Sequence, residues 1–291
     1  MSIPTMFHLM LERIARRPLP RVPEPALIML DPSRNAAFQE AGSEDGFLAF
    51  SYFYHALQIT SVVLPGDRVL DLACGPASQL VQIARMNPDA HFVGLDASAD
   101  MLDKAGTTLE RNGVGNVELA LGDMTRLAGI GDASIDCVIC TMSLHHLPNL
   151  AALSDTMREA RRVLKPGGGL YLVDFGRLKR VHTQRFFSKD QRDCQSAEFT
   201  QDYLNSLKAA FSVDELSAAA ALLGSDVVRH VTPLAPFMVV FKCAARRKLD
   251  TASLHLARTM FGRMSIAQQK DFHALALWFE RGNFDLPCAL A

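Results

Sequence analysis

The sequence predicts an α/β fold, a seven-stranded, mostly parallel sheet whose last strand is antiparallel, with helical extensions before and after it. Three observations predict it. Apolar strand patterns alternate with amphipathic helical patterns across the middle of the chain, and short connections in such an alternation imply parallel strands covered on both faces. The last two strand patterns are joined only by Thr232-Pro-Leu-Ala-Pro236, too short for a helical crossover, so they pair antiparallel. Finally, three apolar runs end in an acid: Asp71, Asp96 and Asp123.

The elements follow in order. Residues 1–17 predict a short amphipathic helix with Phe7, Met10, Leu11 and Ile14 on one face and Arg13, Arg16 and Arg17 elsewhere. Pro18, Pro20, Pro23 and Pro25 then impose an extended linker. A second helix is expected from about Glu44 to Val62, rich in aromatic residues, before the turn at Pro65-Gly66-Asp67. Strands are expected at 68–72, 91–96, 117–122, 135–141, 169–175, 226–232 and 236–243, and helices near 76–86, 98–112, 150–164, 200–209 and 213–222. Beyond the basic link Arg246-Arg-Lys248, two more helical patterns cover about 251–263 and 265–281. The chain therefore divides into an N-terminal helical cap (1–61), an α/β domain (62–245) with a lid near 176–212, and a C-terminal helical extension (246–291).

Composition narrows the function classes. A chain of 291 residues that is 49% hydrophobic builds a substantial core. A formal charge of −1 gives no global attraction to nucleic acid. No apolar run reaches the roughly 18–20 residues of a membrane span, and no signal-peptide pattern opens the chain. Six scattered cysteines read as reduced thiols in a cytoplasmic protein. Cys137 and Cys140 form a C-x-x-C string, but positions three apart on a strand face opposite sides, which argues against a metal or redox pair. No metal ligands are visible.

The most informative stretch is Val69-Leu-Asp-Leu-Ala-Cys-Gly-Pro-Ala77, a strand, an acid, a small-residue turn and then a helical pattern. Such a loop brings backbone N–H groups and a helix N-terminus close to a bound ligand. Asp96 follows 25 residues after Asp71, and a strand-end carboxylate there can accept from both hydroxyls of a ribose. The first loop lacks the Gly-x-Gly-x-x-Gly spacing that a pyrophosphate needs, which argues against a dehydrogenase.

Taken with Gly94-Leu-Asp-Ala-Ser, Gly122-Asp-Met, Ile135-Asp-Cys-Val-Ile-Cys-Thr-Met-Ser-Leu-His-His-Leu and Val163-Leu-Lys-Pro-Gly-Gly, these motifs resemble a class I S-adenosylmethionine-dependent methyltransferase over roughly Val62 to Ala245. The His-His-Leu-Pro and Leu-Lys-Pro-Gly-Gly pieces are similar to the small-molecule branch that includes quinone-biosynthesis C-methyltransferases. The resemblance implies a Rossmann-like fold, S-adenosyl-L-methionine as cofactor, and transfer of its methyl group by in-line displacement. It assigns Asp71 to the methionine end, Asp96 to the ribose, Asp123 and Met124 to the adenine, and Thr141 to the neighbourhood of the sulfonium; Ala73, Gly75 and Ala97 are further cofactor contacts, and Met101 packs either on the adenine face or in the core. One departure stands out: Ala73 and Ala77 occupy places that are usually glycine. Alanine allows close approach at negative φ only, so Gly75 is expected to be the position that matters.

The acceptor side is less legible. His145 is the candidate base, since imidazole titrates near neutrality, and His146 a candidate substrate contact. Either histidine can equally be a packed, hydrogen-bonded residue. Residues 177–192 carry six basic side chains, among them Arg177 and Arg180, which fit recognition of a carboxylate or phosphate on the acceptor or a merely solvated lid. Tyr52 and Tyr54 either touch cofactor and substrate or dock a helix. The expected partner is a small-molecule acceptor with anionic character, without nucleic acid, and the sequence leaves a homodimer open. An RNA or protein acceptor and a non-catalytic cofactor-binding scaffold stand as alternatives.

Overall fold

A computed structural model describes residues 3–24, 41–43, 46–189 and 195–290. Its centre is one seven-stranded sheet in the order β3-β2-β1-β4-β5-β7-β6. The strands are β1 (Arg68–Asp71), β2 (His91–Asp96), β3 (Val117–Leu121), β4 (Ile135–Thr141), β5 (Leu164–Phe175), β6 (Val228–Val231) and β7 (Met238–Lys242). The first five are parallel, and β7 inserts between β5 and β6 antiparallel to both. The sheet is therefore the one the sequence predicts.

The helices match the predicted ones closely. They are α1 (Ile3–Ile14), α2 (Ala49–Thr60), α3 (Ser78–Met86), α4 (Ala99–Arg111), α5 (Leu150–Val163), α6 (Val181–Ser188), α7 (Ala197–Ala209), α8 (Val213–Ala220), α9 (Thr251–Arg263) and α10 (Ile266–Glu280). Helix α6 lies inside the segment read only as a basic lid. The Pro25 end of the linker, the Glu44 start of the second predicted helix and lid residue Arg192 lie outside the described residues. Side-chain caps explain most of the helix starts. Ser98 accepts from Met101 N, Asn149 from Ala152 N and Ser196 from Phe199 N, while Ser212 with Glu215 and Ser265 with Gln268 form capping boxes. Each such cap contributes about 1 kcal/mol. Helix α3 differs: it starts after Ala77 with no side-chain cap.

Strands β1, β2, β4 and β5 are buried on both faces, so their sequences read as apolar runs rather than alternations. Gly94 is needed inside β2, because a Cβ there would meet Cys74 Sγ, Leu80 Cδ2 and Leu119 Cδ2 at 3.0–3.1 Å. Helix α2 is buried along nearly its whole length and packs between α3 and α10. Its Phe53, Tyr54 and Leu57 are fully buried, each worth roughly 1.5–3 kcal/mol relative to exposure. Arg246 ties the C-terminal segment back, donating to Val62 O and pairing with Asp67. Cys137 and Cys140 are buried free thiols, pushed well above the ordinary thiol range by burial. Among the described residues no helix is long and apolar enough to cross a membrane.

Sheet order positions the site. Connections leave β1 toward β2 on one side, and β4 lies on the other, so the crevice beyond the carboxyl ends of β1 and β4 is the topological switch point. Register places Asp71 beside Gly94 and Ile139, so Asp71, Asp96 and Thr141 emerge on one edge of the sheet.

Candidate active site

A cavity of about 240 Å³ opens over that edge. On the β1–β3 side it is lined by Asp71, Ala73, Gly75, Asp96, Ala97, Met101, Asp123 and Met124, with Thr141, His145, His146 and Tyr52 closing it. The fold thus brings together every residue that the sequence assigned to the cofactor.

Each acid has a distinct environment. The Asp96 carboxylate accepts from Gly75 N and Ser98 N, both at 2.9 Å, and so fixes the first loop to the end of β2. Asp123 accepts from Thr125 N at 2.8 Å, which holds its turn. Asp71 is buried and takes a backbone hydrogen bond from Ala73, but its Oδ1 has no partner among the described residues. Burial pushes its carboxyl up to about 7, and the nearby Asp96 adds to this. Beside it, Gln79 uses Oε1 to accept from Thr141 Oγ1 at 2.6 Å. The buried Nε2 of Gln79 has no partner among the described residues. The cavity thus holds one unmatched acceptor and one unmatched donor in its wall, and a buried polar group left so is destabilising unless a ligand completes it.

The loop conformation corrects the sequence expectation at one point. Gly75 is left-handed, at φ +53°, and a Cβ there would meet nothing within 4 Å, so the backbone lies bare to the cavity. Ala77 is also left-handed, at φ 61°. The departure from glycine at this place is therefore accommodated as strain of about 1–2 kcal/mol rather than avoided by a change of backbone conformation. Met142, directly after β4, is a further left-handed residue on the cavity wall.

The opposite wall carries the histidines. His145 is buried, and Asp174 grips it twice: Oδ2 accepts from His145 N and Oδ1 contacts ring Nδ1, both at 2.7 Å. Burial drives the imidazole down, but the charge and hydrogen bond of Asp174 outweigh it and hold the ring above its ordinary value. His146 Nδ1 meets Glu24 Oε2 at 2.7 Å, and Ser206 Oγ donates to Glu24 Oε1 at 2.9 Å. Although burial alone would raise it, the His146 contact brings the Glu24 carboxyl to about 2. Glu24, His145 and His146 offer donor atoms within 4.8 Å of one another, a set compatible with a metal ion. Glu24 and His146 are 122 residues apart, so ligand spacing in the sequence does not reveal it.

Glu24 arrives on a strap formed by residues 19–24. Leu19 N donates to Leu178 O and Val22 N to Lys208 O. Arg21 donates to the carbonyls of His145, Leu147, Pro148 and Ala209, and its guanidinium lies 3.9 Å from the centre of the Phe211 ring. One side chain thereby joins strap, histidine turn and α7.

Three assigned residues are not in the cavity. Tyr54 is fully buried and stacks on Phe279, with ring centres 5.1 Å apart, because α2 turns it toward α10. Arg177 is buried and pairs with Glu215 at 2.9 Å, bracing the start of α8. Arg180 is exposed, and its Nε donates to Leu11 O. The two arginines therefore give no support to an anionic acceptor. Conversely, the sequence reading missed Asp174, Gln79 and Glu24. Asp174 lies near the end of β5 in Leu170-Tyr-Leu-Val-Asp174 and repeats the strand-end-acid signal of the other three. Glu24 stands in a proline-rich linker with no local signal.

A family profile described as "Methyltransferase domain" matches residues 64–217. An arsenite methyltransferase of Halobacterium salinarum is 29% identical over 169 residues, 58% of this chain and 39% of that protein. A demethylmenaquinone methyltransferase of Listeria welshimeri is 35% identical over 113 residues, 38% of this chain and 46% of that protein. The chain thus covers less than half the length of these relatives. A solved SAM-dependent methyltransferase from Aquifex aeolicus shares the fold with a TM-score of 0.54 and 17% identity, covering 74% of this chain and 98% of its own.

Proposed function

The chain belongs to the methyltransferase-domain family, and on that premise we propose that it is a class I S-adenosylmethionine-dependent methyltransferase acting on a small-molecule acceptor. The observation that carries this reading is a single cavity in which the unmatched Asp71 and Gln79 atoms and the bare Gly75 backbone face the Asp174–His145 pair.

The wall fits the cofactor group by group. Asp71 Oδ1 is an acceptor for the ammonium of its methionine end, and Gln79 Nε2 a donor for the carboxylate of that end. Asp96, already oriented by two amides, retains acceptor capacity for the ribose hydroxyls. Asp123 and the Met124 backbone would take the adenine edge, with Met101 against its face. When bound, this cofactor supplies a methyl group on a positively charged sulfur.

The remaining chemistry falls to the protein. The histidine turn follows Thr141 and Met142, so His145 belongs to the acceptor side. With Nδ1 held by Asp174, its Nε2 is the atom that takes a proton from an acceptor hydroxyl or activated carbon, and Asp174 stabilises the imidazolium that results. Phe175, Phe199 and Tyr203, together with the strap, exclude water and fix the acceptor in line. Names of relatives add weight to a small acceptor, since they are an arsenite and a demethylmenaquinone methyltransferase. A thiol-captured arsenite fits this cavity less well: among the described residues Cys74 is the one thiol that lines it, while Cys137 and Cys140 lie in the core.

Calorimetry with S-adenosylmethionine tests the cofactor half, comparing wild type with Asp96→Ala, and transfer of labelled methyl to a panel of phenols, enols and thiols tests the acceptor half. Folded wild-type protein that fails to bind the cofactor sinks the reading. Binding without transfer to any acceptor favours a non-catalytic scaffold.

A further inference from the structure

We propose that the outer face made by α1 and the basic segment around α6 lies on an anionic membrane surface. The inference rests on how α1 is oriented and is independent of the methyl-transfer reading.

Helix α1 is docked with most of its apolar side chains outward. The side facing the protein holds one apolar anchor, the fully buried Leu9, and polar groups: Glu12 is fully buried and accepts from Lys179 N at 2.7 Å, and His8 stacks on Phe186 with ring centres 4.2 Å apart. Its apolar side faces water. Ile3, Phe7, Met10 and Ile14 recur at helical spacing on one stripe, and Ile3, Phe7 and Ile14 are 88%, 61% and 68% exposed. A helix docked to bury its own apolar stripe would be turned the other way. Exposed cations surround this stripe: Arg13, Arg16 and Arg17 at the end of α1, and Arg180, Arg185 and Lys189 along α6. Of the acids among the described residues of 3–24 and 177–189, Glu12 is buried and Glu24 is held by His146. Arg180 and Arg185, which the cavity does not use, thus belong to a surface whose described residues combine apolar side chains with an excess of positive charge.

That combination selects the occupant. A second copy across a two-fold axis would set these cations against themselves. An RNA backbone would match the charge but leave the apolar stripe in water. A protein groove encloses much of a helix, which the docking of α1 on its Leu9–Glu12 side prevents. A membrane takes one side only: apolar side chains enter the headgroup–acyl boundary while arginines stay among lipid phosphates.

Flotation of the full chain with phosphatidylcholine vesicles, with and without about one third phosphatidylglycerol, tests this. Binding is expected to the anionic vesicles only, and to fall at least roughly tenfold in Phe7→Ser/Ile14→Ser and in Arg16→Glu/Arg17→Glu. If the apolar variant fails to fold, the arginine variant alone decides, since both side chains are exposed. Equal binding to neutral vesicles, no vesicle binding, or binding that survives in the folded variants overturns the proposal. So does a dimer or a salt-sensitive RNA complex that forms without vesicle binding.

Discussion

Asp174 holds His145 at two points, backbone N and ring Nδ1, each at 2.7 Å, so one carboxylate sets both the course of the chain after β4 and the orientation of the imidazole. Asp174→Asn keeps the shape and removes the charge. Stability should fall by about 3 kcal/mol, the scale for breaking a buried ionic pair. The His145 pKa is raised in the folded state, so its contribution is complete below the unfolded histidine value and is lost as pH rises through the folded one. The wild-type advantage in urea midpoint should therefore shrink as pH rises above the unfolded histidine value of about 6.5. A difference that grows with pH contradicts the pairing.

The strap yields a second prediction. Arg21 donates to carbonyls on both sides of it, and hydrogen bonds to charged groups contribute about 1.5–3 kcal/mol. Arg21→Ala should free residues 19–24 and with them Glu24. Hydrogen exchange at Val22 N–H should speed up by at least about tenfold, and turnover should fall while cofactor affinity changes little. Arg21→Lys should not rescue it, because an ammonium cannot reproduce the planar fork. Unchanged exchange in Arg21→Ala would mean that the strap is held by something else.

The difference between what was legible and what was not has a physical cause. Sheet order and the β1–β3 wall of the cavity were readable because Asp71, Asp96 and Asp123 each terminate an apolar run, and a strand end is a local signal. Asp174 carries the same signal in β5. The opposite wall was not readable in this way: His145 and His146 meet Asp174 and Glu24 through long-range contacts, and nothing near Glu24 marks it. The basic lid misled for the opposite reason. Charge is visible in a sequence, but the direction it faces depends on how α6 packs, and here Arg177 turns inward to Glu215 while Arg180 turns to α1.

Cofactor affinity should depend on pH through Asp71. Its carboxyl is raised to about 7 by burial, so below that pH it is largely neutral and cannot pair with an ammonium. Affinity for S-adenosylmethionine should weaken as pH falls from about 7.5 to about 6, approaching tenfold per unit for one coupled proton. Asp71→Asn should bind more weakly at the upper pH and lose the dependence. Calorimetry at the two pH values decides, and a wild type with flat affinity rules out an ionised Asp71 as the ammonium partner.

The two left-handed residues of the first loop predict unequal outcomes for opposite substitutions. Ala77 carries a Cβ at φ 61° and has no side-chain cap to offer α3. Ala77→Gly relieves about 1–2 kcal/mol of strain and loses up to about 1 kcal/mol to unfolded-chain entropy. Ala77 is also fully buried, so the methyl it loses costs about 0.8 kcal/mol; the substitution should therefore leave stability nearly unchanged and binding intact. Gly75→Ala imposes the same strain at φ +53° and, with nothing within 4 Å of the new Cβ, projects a methyl into the space that a ligand would use. It should lower stability by about 1–2 kcal/mol and weaken cofactor binding by much more than Ala77→Gly changes it. Thermal melts and calorimetry on the pair separate the two effects. Gly75→Ala protein with wild-type affinity would show that the bare backbone is not where the cofactor lies.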